Sequence, residues 1–143
     1  LYALLREMDP TRFIDTASGW FKGCKSDVNS PHVYFRPFRF KGHRLPTLLS
    51  EFGGYVKKEE EHLFNENASY GYRYFQDRES YTQALETLYE EQIVPAIPKG
   101  LCGCIYTQLS DVEDELNGLV TYDRQVVKVP AERMKKIAGK LKI

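Results

Sequence analysis

Apolar positions recur with helical spacing in three stretches of the chain, and these stretches predict three helices. The clearest one begins after Asp77, a residue type common at helix N-caps, and runs to Val94, where Pro95 ends it. Its repeated apolar residues are Tyr81, Leu85, Leu88, Tyr89 and Ile93. Residues 1–8 are typical of the end of an amphipathic helix, and a third helix is predicted from Pro130, because proline suits a first helical turn. The apolar side of this third helix consists of Met134, Ile137, Ala138 and Leu141.

Four shorter apolar stretches predict β-strands that alternate with the helices and with long loops. They cover residues 13–17, 32–35, 47–49 and 101–106. The link 36–46 contains two prolines and is too short for a full crossover helix. Strands that are separated by helices or long crossovers imply a parallel sheet, so the predicted fold class is α/β with parallel strands. Within the polar stretch 57–76, the charge run 57–61 predicts a solvated face, and the aromatic cluster 70–75 predicts either a cover for the core or the wall of a groove.

Composition indicates one globular unit over residues 1–143, with 42% hydrophobic residues and enough length to bury a core. Twenty basic and twenty acidic residues balance, so no positive field suggests binding to nucleic acid or to an anionic membrane. No apolar run approaches the roughly 20 residues of a membrane-spanning helix. The chain opens inside a helical pattern without a methionine, so we expect the true amino terminus to lie upstream of Leu1.

The three cysteines, Cys24, Cys102 and Cys104, are too few and too oddly counted for a disulfide framework. Cys102 and Cys104 do not have the spacing of the common zinc sites, and the three histidines do not complete a ligand pattern with them. We therefore expect reduced thiols in the core and no metal. Reduced thiols favour a cytoplasmic location.

Glu51 follows the buried strand 47–49 and is itself followed by Gly53 and Gly54. A carboxylate beside a core is costly to desolvate, and glycines allow a sharp turn or the close approach of another group. This position indicates a functional site. The alternative is that Glu51 leaves the strand into solvent or pairs with an arginine.

Several motifs, taken together and in this order, resemble the catalytic barrel of family 2 glycoside hydrolases, the group of β-galactosidases, β-glucuronidases and β-mannosidases. They are Asp9-Pro10-Thr11-Arg12, Ala17-Ser18-Gly19-Trp20, His32 with Tyr34, Ser50-Glu51-Phe52-Gly53-Gly54, Tyr70-Gly71-Tyr72, Tyr106-Thr107-Gln108, residues 111–118 and Thr121-Tyr122-Asp123-Arg124. The resemblance implies a (β/α)8 TIM barrel, of which this chain is the C-terminal half, strands five to eight with their helices. It also implies retaining hydrolysis of terminal β-linked sugars without a cofactor.

The resemblance also implies roles for individual residues. Glu51 matches the family's nucleophile, and Tyr34 matches a tyrosine that approaches and orients this nucleophile. Tyr106 stands where many relatives place a tryptophan under the sugar. The remaining residues expected to bind substrate are Trp20, His32 and Gln108.

A retaining glycosidase needs two carboxyl groups about 5 to 5.5 Å apart, one as nucleophile and one as acid/base. The family carries the acid/base in an Asn-Glu pair on a strand that lies upstream of Leu1, and Asn65-Glu66 repeats only the letters, in a polar stretch. The leading hypothesis is therefore a fragment of a hydrolase that carries one catalytic carboxylate of two. A second hypothesis is a sugar-binding groove without chemistry, formed by Trp20, Tyr34, Tyr106 and Gln108.

A third, purely structural hypothesis is a half barrel that pairs through open sheet edges, either with the missing amino-terminal half or with another copy. The alternating acids Asp111, Glu113 and Glu115 predict either an exposed acidic loop or a cation site.

Overall fold

The computed structural model describes residues 1–21 and 25–141. Its helices are α1 (Tyr2–Met8), α2 (Arg78–Leu88) and α3 (Ala131–Lys140). Its strands are β1 (His32–Val33), β2 (Thr47–Gly53), β3 (Tyr55–Lys57), β4 (Arg73–Phe75) and β5 (Leu101–Thr107). β1, β2 and β5 form a parallel sheet with β2 in the centre, and β3 and β4 form a second parallel pair. The fold is thus α/β, with parallel strands in small sheets.

The central strand β2 extends beyond the predicted 47–49 and includes Glu51 and Gly53. β1 pairs with its carboxyl end, and no helix lies in the link 36–46, as predicted. β1 and β5 are the two outer strands of this sheet. Association through these outer strands stays a prediction.

The segment 13–17 is not a strand, so the prediction of the first strand at this place was wrong. Ile14 is buried, but its backbone N–H donates to Oδ2 of Asp27 (2.8 Å) and its carbonyl accepts from the Asp27 N–H (2.9 Å). The same carboxylate accepts from the Tyr2 hydroxyl (2.6 Å) and pairs with Arg6. A single loop aspartate therefore binds this segment and α1, where the sequence predicted a strand ladder.

Helix α2 begins as predicted, because Oδ1 of Asp77 accepts a hydrogen bond from the Ser80 N–H (2.8 Å). All five of its predicted apolar positions are buried: Tyr81, Leu85, Leu88, Tyr89 and Ile93. The α-helical part ends at Leu88, and the chain continues as a π-helical turn over Tyr89–Ile93 and a 3-10 helix over Val94–Lys99. The α-helix is thus shorter than the predicted helix to Val94, and a π-helical segment and a 3-10 helix follow it.

Helix α3 follows Pro130 as predicted and packs Ile137, with the partly buried Met134 and Leu141, against the core. It is joined to α2 by Arg133, whose guanidinium donates two hydrogen bonds to the Glu86 carboxylate, both 2.5 Å long. None of the helices in residues 1–21 and 25–141 is long and apolar enough to cross a membrane.

The strands β3 and β4 lie at the two ends of the polar stretch 57–76. In the charge run 57–61, which was predicted to be a solvated face, Glu60 and Glu61 are exposed and residues 57–59 are half-buried. Val56 of β3 is fully buried, and Gly71 allows close packing on it, since a Cβ at Gly71 would lie 2.0 Å from Cγ2 of Val56. The pairing brings the aromatic cluster 70–75 beside the carboxyl end of β2.

Candidate functional site

A β-bulge in β2 presents Glu51 on the surface of the sheet. Leu49 and Phe52 of β2 pair with Cys104 and Tyr106 of β5, so three steps along β2 match two steps along β5. Both Leu49 and Phe52 consequently face the core, and the intervening Glu51 side chain stays 43% exposed. A bulge of this kind re-aims a side chain, and bulges are frequent beside active sites.

Two side chains from the β1 region approach the same oxygen of Glu51. The Tyr34 hydroxyl donates a hydrogen bond to Oε2 (2.7 Å), and Nδ1 of His32 lies 3.1 Å from Oε2. Among the described residues, no side chain or backbone group makes a hydrogen bond to Oε1. The predicted contact between Tyr34 and Glu51 is present, and the alternative that Glu51 pairs with an arginine is not observed in the described part of the chain.

Tyr34 is held on both its ring and its hydroxyl. Its ring stacks on Tyr72, with centroids 4.0 Å apart and planes at 9°, and its hydroxyl lies 2.7 Å from Oγ1 of Thr107. Burial, followed by the hydrogen bond to Glu51, raises the pKa of Tyr34 well above its ordinary value, while Thr107 opposes this shift. Tyr34 is therefore a neutral hydrogen-bond donor throughout the physiological pH range.

The two glycines after Glu51 serve both purposes that the sequence suggested. Gly53 and Gly54 have φ angles of +91° and +66°, which other residues rarely adopt. A Cβ at Gly53 would lie 2.2 Å from the Tyr106 ring, and one at Gly54 would lie 2.3 Å from the Tyr72 ring. The glycines thus turn the chain and admit an aromatic ring on each side.

An aromatic surface, which consists of Trp20, Phe35, Tyr70 and Tyr72, borders the carboxylate. Trp20 stacks on Phe35 (centroids 6.2 Å apart), Phe35 meets Tyr72 edge to face (5.2 Å), and Tyr72 meets Tyr70 in the same way (5.8 Å). Trp20 is 60% exposed and Phe35 is 77% exposed. Exposed aromatic faces suit stacking on the apolar faces of sugar rings. Whether Trp20 and His32 contact a substrate stays a prediction.

Tyr106 lies on the face of the sheet opposite Glu51, so the structure does not bring these two predicted site residues together. Its ring is partly buried against the core, where it packs edge to face on Phe52 (5.7 Å) and stacks on Tyr89 (6.4 Å). Burial raises the pKa of Tyr106 well above its ordinary value. The physical reason is strand alternation, because Tyr106 pairs with Phe52 and so faces the side of the sheet opposite Glu51.

Gln108 binds the loop that follows β5. Its Nε2 donates to Oδ1 of Asn117 (2.8 Å), its backbone N–H donates to the Asn117 carbonyl (3.1 Å), and Nδ2 of Asn117 donates to Oε1 of Glu115 (3.0 Å). The side-chain amide of Gln108 is therefore hydrogen-bonded to Asn117 within the protein. A contact between Gln108 and a sugar stays a prediction.

The acidic stretch after β5 matches neither of its two predicted forms. Asp111 is buried and pairs with Lys128, whereas Glu113 is exposed and Glu115 is half-buried. In residues 1–21 and 25–141, no group of three or more histidine, cysteine, aspartate or glutamate side chains is arranged to hold a metal ion.

The thiols differ from the prediction of a buried set. Cys102 is exposed, and Cys104 is half-buried with its pKa raised by burial. Cys24 lies outside the described residues. Glu66, the acid of the Asn65-Glu66 pair, is exposed.

Three residues of the site were not singled out from the sequence: Thr107, Phe35 and Tyr72. Tyr72 belonged to an aromatic cluster for which a groove wall was one of two alternatives. Thr107 lies between Tyr106 and Gln108, the two residues of this motif that were predicted to bind substrate. Strand alternation relative to Phe52 is the signal that points to Thr107, but the bulge in β2 hides this alternation in the sequence.

No protein-family model matches this sequence, and a search among curated proteins finds no match.

Proposed function

We propose that this chain carries the nucleophile of a retaining glycoside hydrolase that acts on terminal β-linked sugars, and that Glu51 is this nucleophile. The observation that carries the proposal is the arrangement of the carboxylate. Its Oε2 accepts a hydrogen bond from Tyr34 while its side chain remains 43% exposed beside aromatic faces. A carboxylate that is held by one oxygen and open at the other can attack a carbon atom in a fixed direction.

In the proposed reaction, Oε1 of Glu51 forms a bond to the anomeric carbon while the bond from that carbon to the leaving oxygen breaks. The leaving oxygen takes a proton from a general acid, and water later hydrolyses the glycosyl ester. Tyr34 would fix the plane of the carboxylate during both steps. The acid/base role is assigned to no residue of this chain, because the proposal places the second carboxyl group on the amino-terminal half of a (β/α)8 barrel.

The parallel order β1-β2-β5 supports this larger architecture, in which the three strands would be strands six, seven and eight. Thr107 is the last residue of β5, Tyr34 follows the end of β1, and Glu51 lies in the last three residues of β2. Sites gather near the carboxyl ends of the strands in such barrels. The rest of the barrel would cover the outer strands. The site of a substrate would then lie between the two halves.

The experiment uses the complete gene product and the Glu51→Gln variant with 4-nitrophenyl β-galactoside, β-glucuronide and β-mannoside as substrates. An amide cannot attack the anomeric carbon, so turnover of the best substrate is expected to fall by several orders of magnitude. Glu113→Gln, which changes an exposed carboxylate on a loop, is the matched control and is expected to retain turnover. Retention of turnover by Glu51→Gln would contradict the proposal.

A sugar-binding function without chemistry is the second candidate, and the exposed aromatic surface favours it. On this hypothesis the chain binds β-glycosides, Glu51→Gln leaves their affinity unchanged, and none of the three substrates is hydrolysed by the complete gene product.

A further inference from the structure

Thr107 is fixed at the end of β5 by the backbone of the glycine turn. Thr107 pairs with Gly53 in the sheet, and its backbone carbonyl accepts a hydrogen bond from the Gly54 N–H (2.9 Å). Its Oγ1 lies 2.7 Å from the Tyr34 hydroxyl. The side chain therefore stands behind Tyr34, while Glu51 stands in front of it.

The direction of the two hydrogen bonds follows from counting protons. An ionised carboxylate only accepts, so the single hydroxyl proton of Tyr34 must go to Glu51. The 2.7 Å contact between Tyr34 and Thr107 then requires the Thr107 hydroxyl to donate. We infer that Thr107 is a positioning residue that acts through Tyr34 and directs its proton toward Glu51.

Stacking on Tyr72 alone cannot direct the hydroxyl proton of Tyr34 toward Glu51. It fixes the ring of Tyr34, but a phenolic hydrogen can rotate about the C–O bond and point away from the carboxylate. Because the Thr107 hydroxyl donates to the phenolic oxygen of Tyr34, the Tyr34 hydrogen cannot point toward Thr107 and points toward Glu51. The hydrogen bond from Thr107 also polarises the Tyr34 hydroxyl and strengthens the bond that this hydroxyl donates to Glu51. The catalytic consequence rests on the proposed function, whereas the direction of the hydrogen bonds does not.

The kinetic test compares Thr107→Val, Thr107→Ser and Tyr34→Phe in the complete gene product. Valine keeps the shape of threonine but has no hydroxyl, so kcat is expected to fall about three- to tenfold with KM unchanged, the loss of one neutral hydrogen bond. Serine restores the donor and is expected to restore kcat. In the Tyr34→Phe background, adding Thr107→Val is expected to change kcat by less than about twofold, because the acceptor is gone. An equal fall in both backgrounds would mean that Thr107 acts independently of Tyr34, which would overturn the inference.

A second measurement does not depend on hydrolysis. With ¹³C-labelled tyrosine, the ring carbon that bears the hydroxyl of Tyr34 is identified as the signal missing in Tyr34→Phe. Thr107→Val is expected to shift this signal, and Thr107→Ser is expected to return it to the position of the unsubstituted protein. If the signal responds in this way and no glycoside is hydrolysed, the positioning role stands and the proposed function fails. If glycosides are hydrolysed and the signal ignores Thr107→Val, the positioning role fails alone.

Discussion

Nζ of Lys128 lies 2.7 Å from Oδ1 of Asp111, and the two side chains are 0% and 1% exposed. The same carboxylate oxygen accepts from the Gly118 N–H (2.8 Å), and the ammonium group donates to the Leu116 carbonyl (3.0 Å). This ion pair ties the two ends of the loop after β5 to each other. Burial lowers the pKa of Lys128 and raises that of Asp111, which reflects the cost of removing both charges from water.

Lys128→Met is expected to lower the free energy of unfolding by about 3–5 kcal/mol, because it leaves the buried Asp111 without its counter-charge. The double variant Asp111→Asn with Lys128→Met removes both charges and is expected to recover part of this loss. Urea unfolding followed by circular dichroism measures the effect. Equal stability of Lys128→Met and the unsubstituted protein would show that the loop does not depend on the pair.

Arg133→Met is expected to destabilise the protein in a pH-dependent way. The hydrogen bonds from Arg133 lower the pKa of Glu86 below its ordinary value. A lowered folded-state pKa gives stability that is present above the unfolded-state pKa of about 4.3 and is lost as the pH falls through the folded-state value. The variant is therefore expected to be less stable than the unsubstituted protein at pH 7, and this difference is expected to shrink below about pH 4.

The matched control for that prediction is Lys135→Met, since Lys135 pairs with Glu132 (2.9 Å) on the exposed side of the same helix. Its effect on unfolding is expected to be small at every pH. A difference between Arg133→Met and the unsubstituted protein that stays constant from pH 7 to pH 2 would rule out the ion pair as its source.

Gly54→Ala is expected to disturb the support of Glu51. The new methyl group would lie 2.3 Å from Cδ2 of Tyr72 and 3.3 Å from Cδ1 of Tyr34, the two stacked rings behind the carboxylate. Gly42→Ala is the control, because Gly42 also has a positive φ (+88°) but a Cβ there meets nothing within 4 Å. Both variants incur backbone strain of about 1–3 kcal/mol, and only Gly54→Ala is expected to lose turnover as well. Thermal unfolding and 4-nitrophenyl glycoside assays separate the two effects.

The aromatic surface is expected to bind sugar, and the single tryptophan of the chain, Trp20, reports on it by fluorescence. Titration with methyl β-glycosides is expected to change this fluorescence. Phe35→Ala is expected to weaken the affinity about three- to tenfold, because the ring that stacks on Trp20 is removed. Phe13→Ala removes another exposed ring that is not part of the surface and serves as the control. Unchanged affinity in Phe35→Ala would exclude this ring from the binding site.

The parts of the fold that could be predicted are those determined by local sequence. The cap at Asp77 and the apolar stripe of α2 lie within one segment, and the contact between Tyr34 and Glu51 was implied by a family resemblance. The strands β3 and β4 are three residues long each and pair across a loop, so no local pattern marks them. The choice between Tyr106 and Thr107 depends on a one-residue shift at a bulge, which reverses the face of every side chain that follows.

The segment 13–17 could not be predicted correctly for a different reason. Its apolar residues have the composition of a strand, but the backbone groups of Ile14 are satisfied by Asp27, a loop residue whose role depends on tertiary contacts. A side chain that replaces a strand partner in this way leaves no periodic signal in the sequence.

Covalent labelling tests most directly whether Glu51 is the nucleophile. A 2,4-dinitrophenyl 2-deoxy-2-fluoro-β-glycoside carries a leaving group that needs no acid catalyst, so it probes the nucleophile without the acid/base carboxyl group. After incubation of the complete gene product with the galactoside, glucuronide and mannoside forms, mass spectrometry of its peptides is expected to show one glycosyl adduct, on Glu51. The Glu51→Gln variant is expected to show none. An adduct on Glu113 or Glu115, or no adduct from any of the three sugars, would contradict the assignment of Glu51 as the nucleophile.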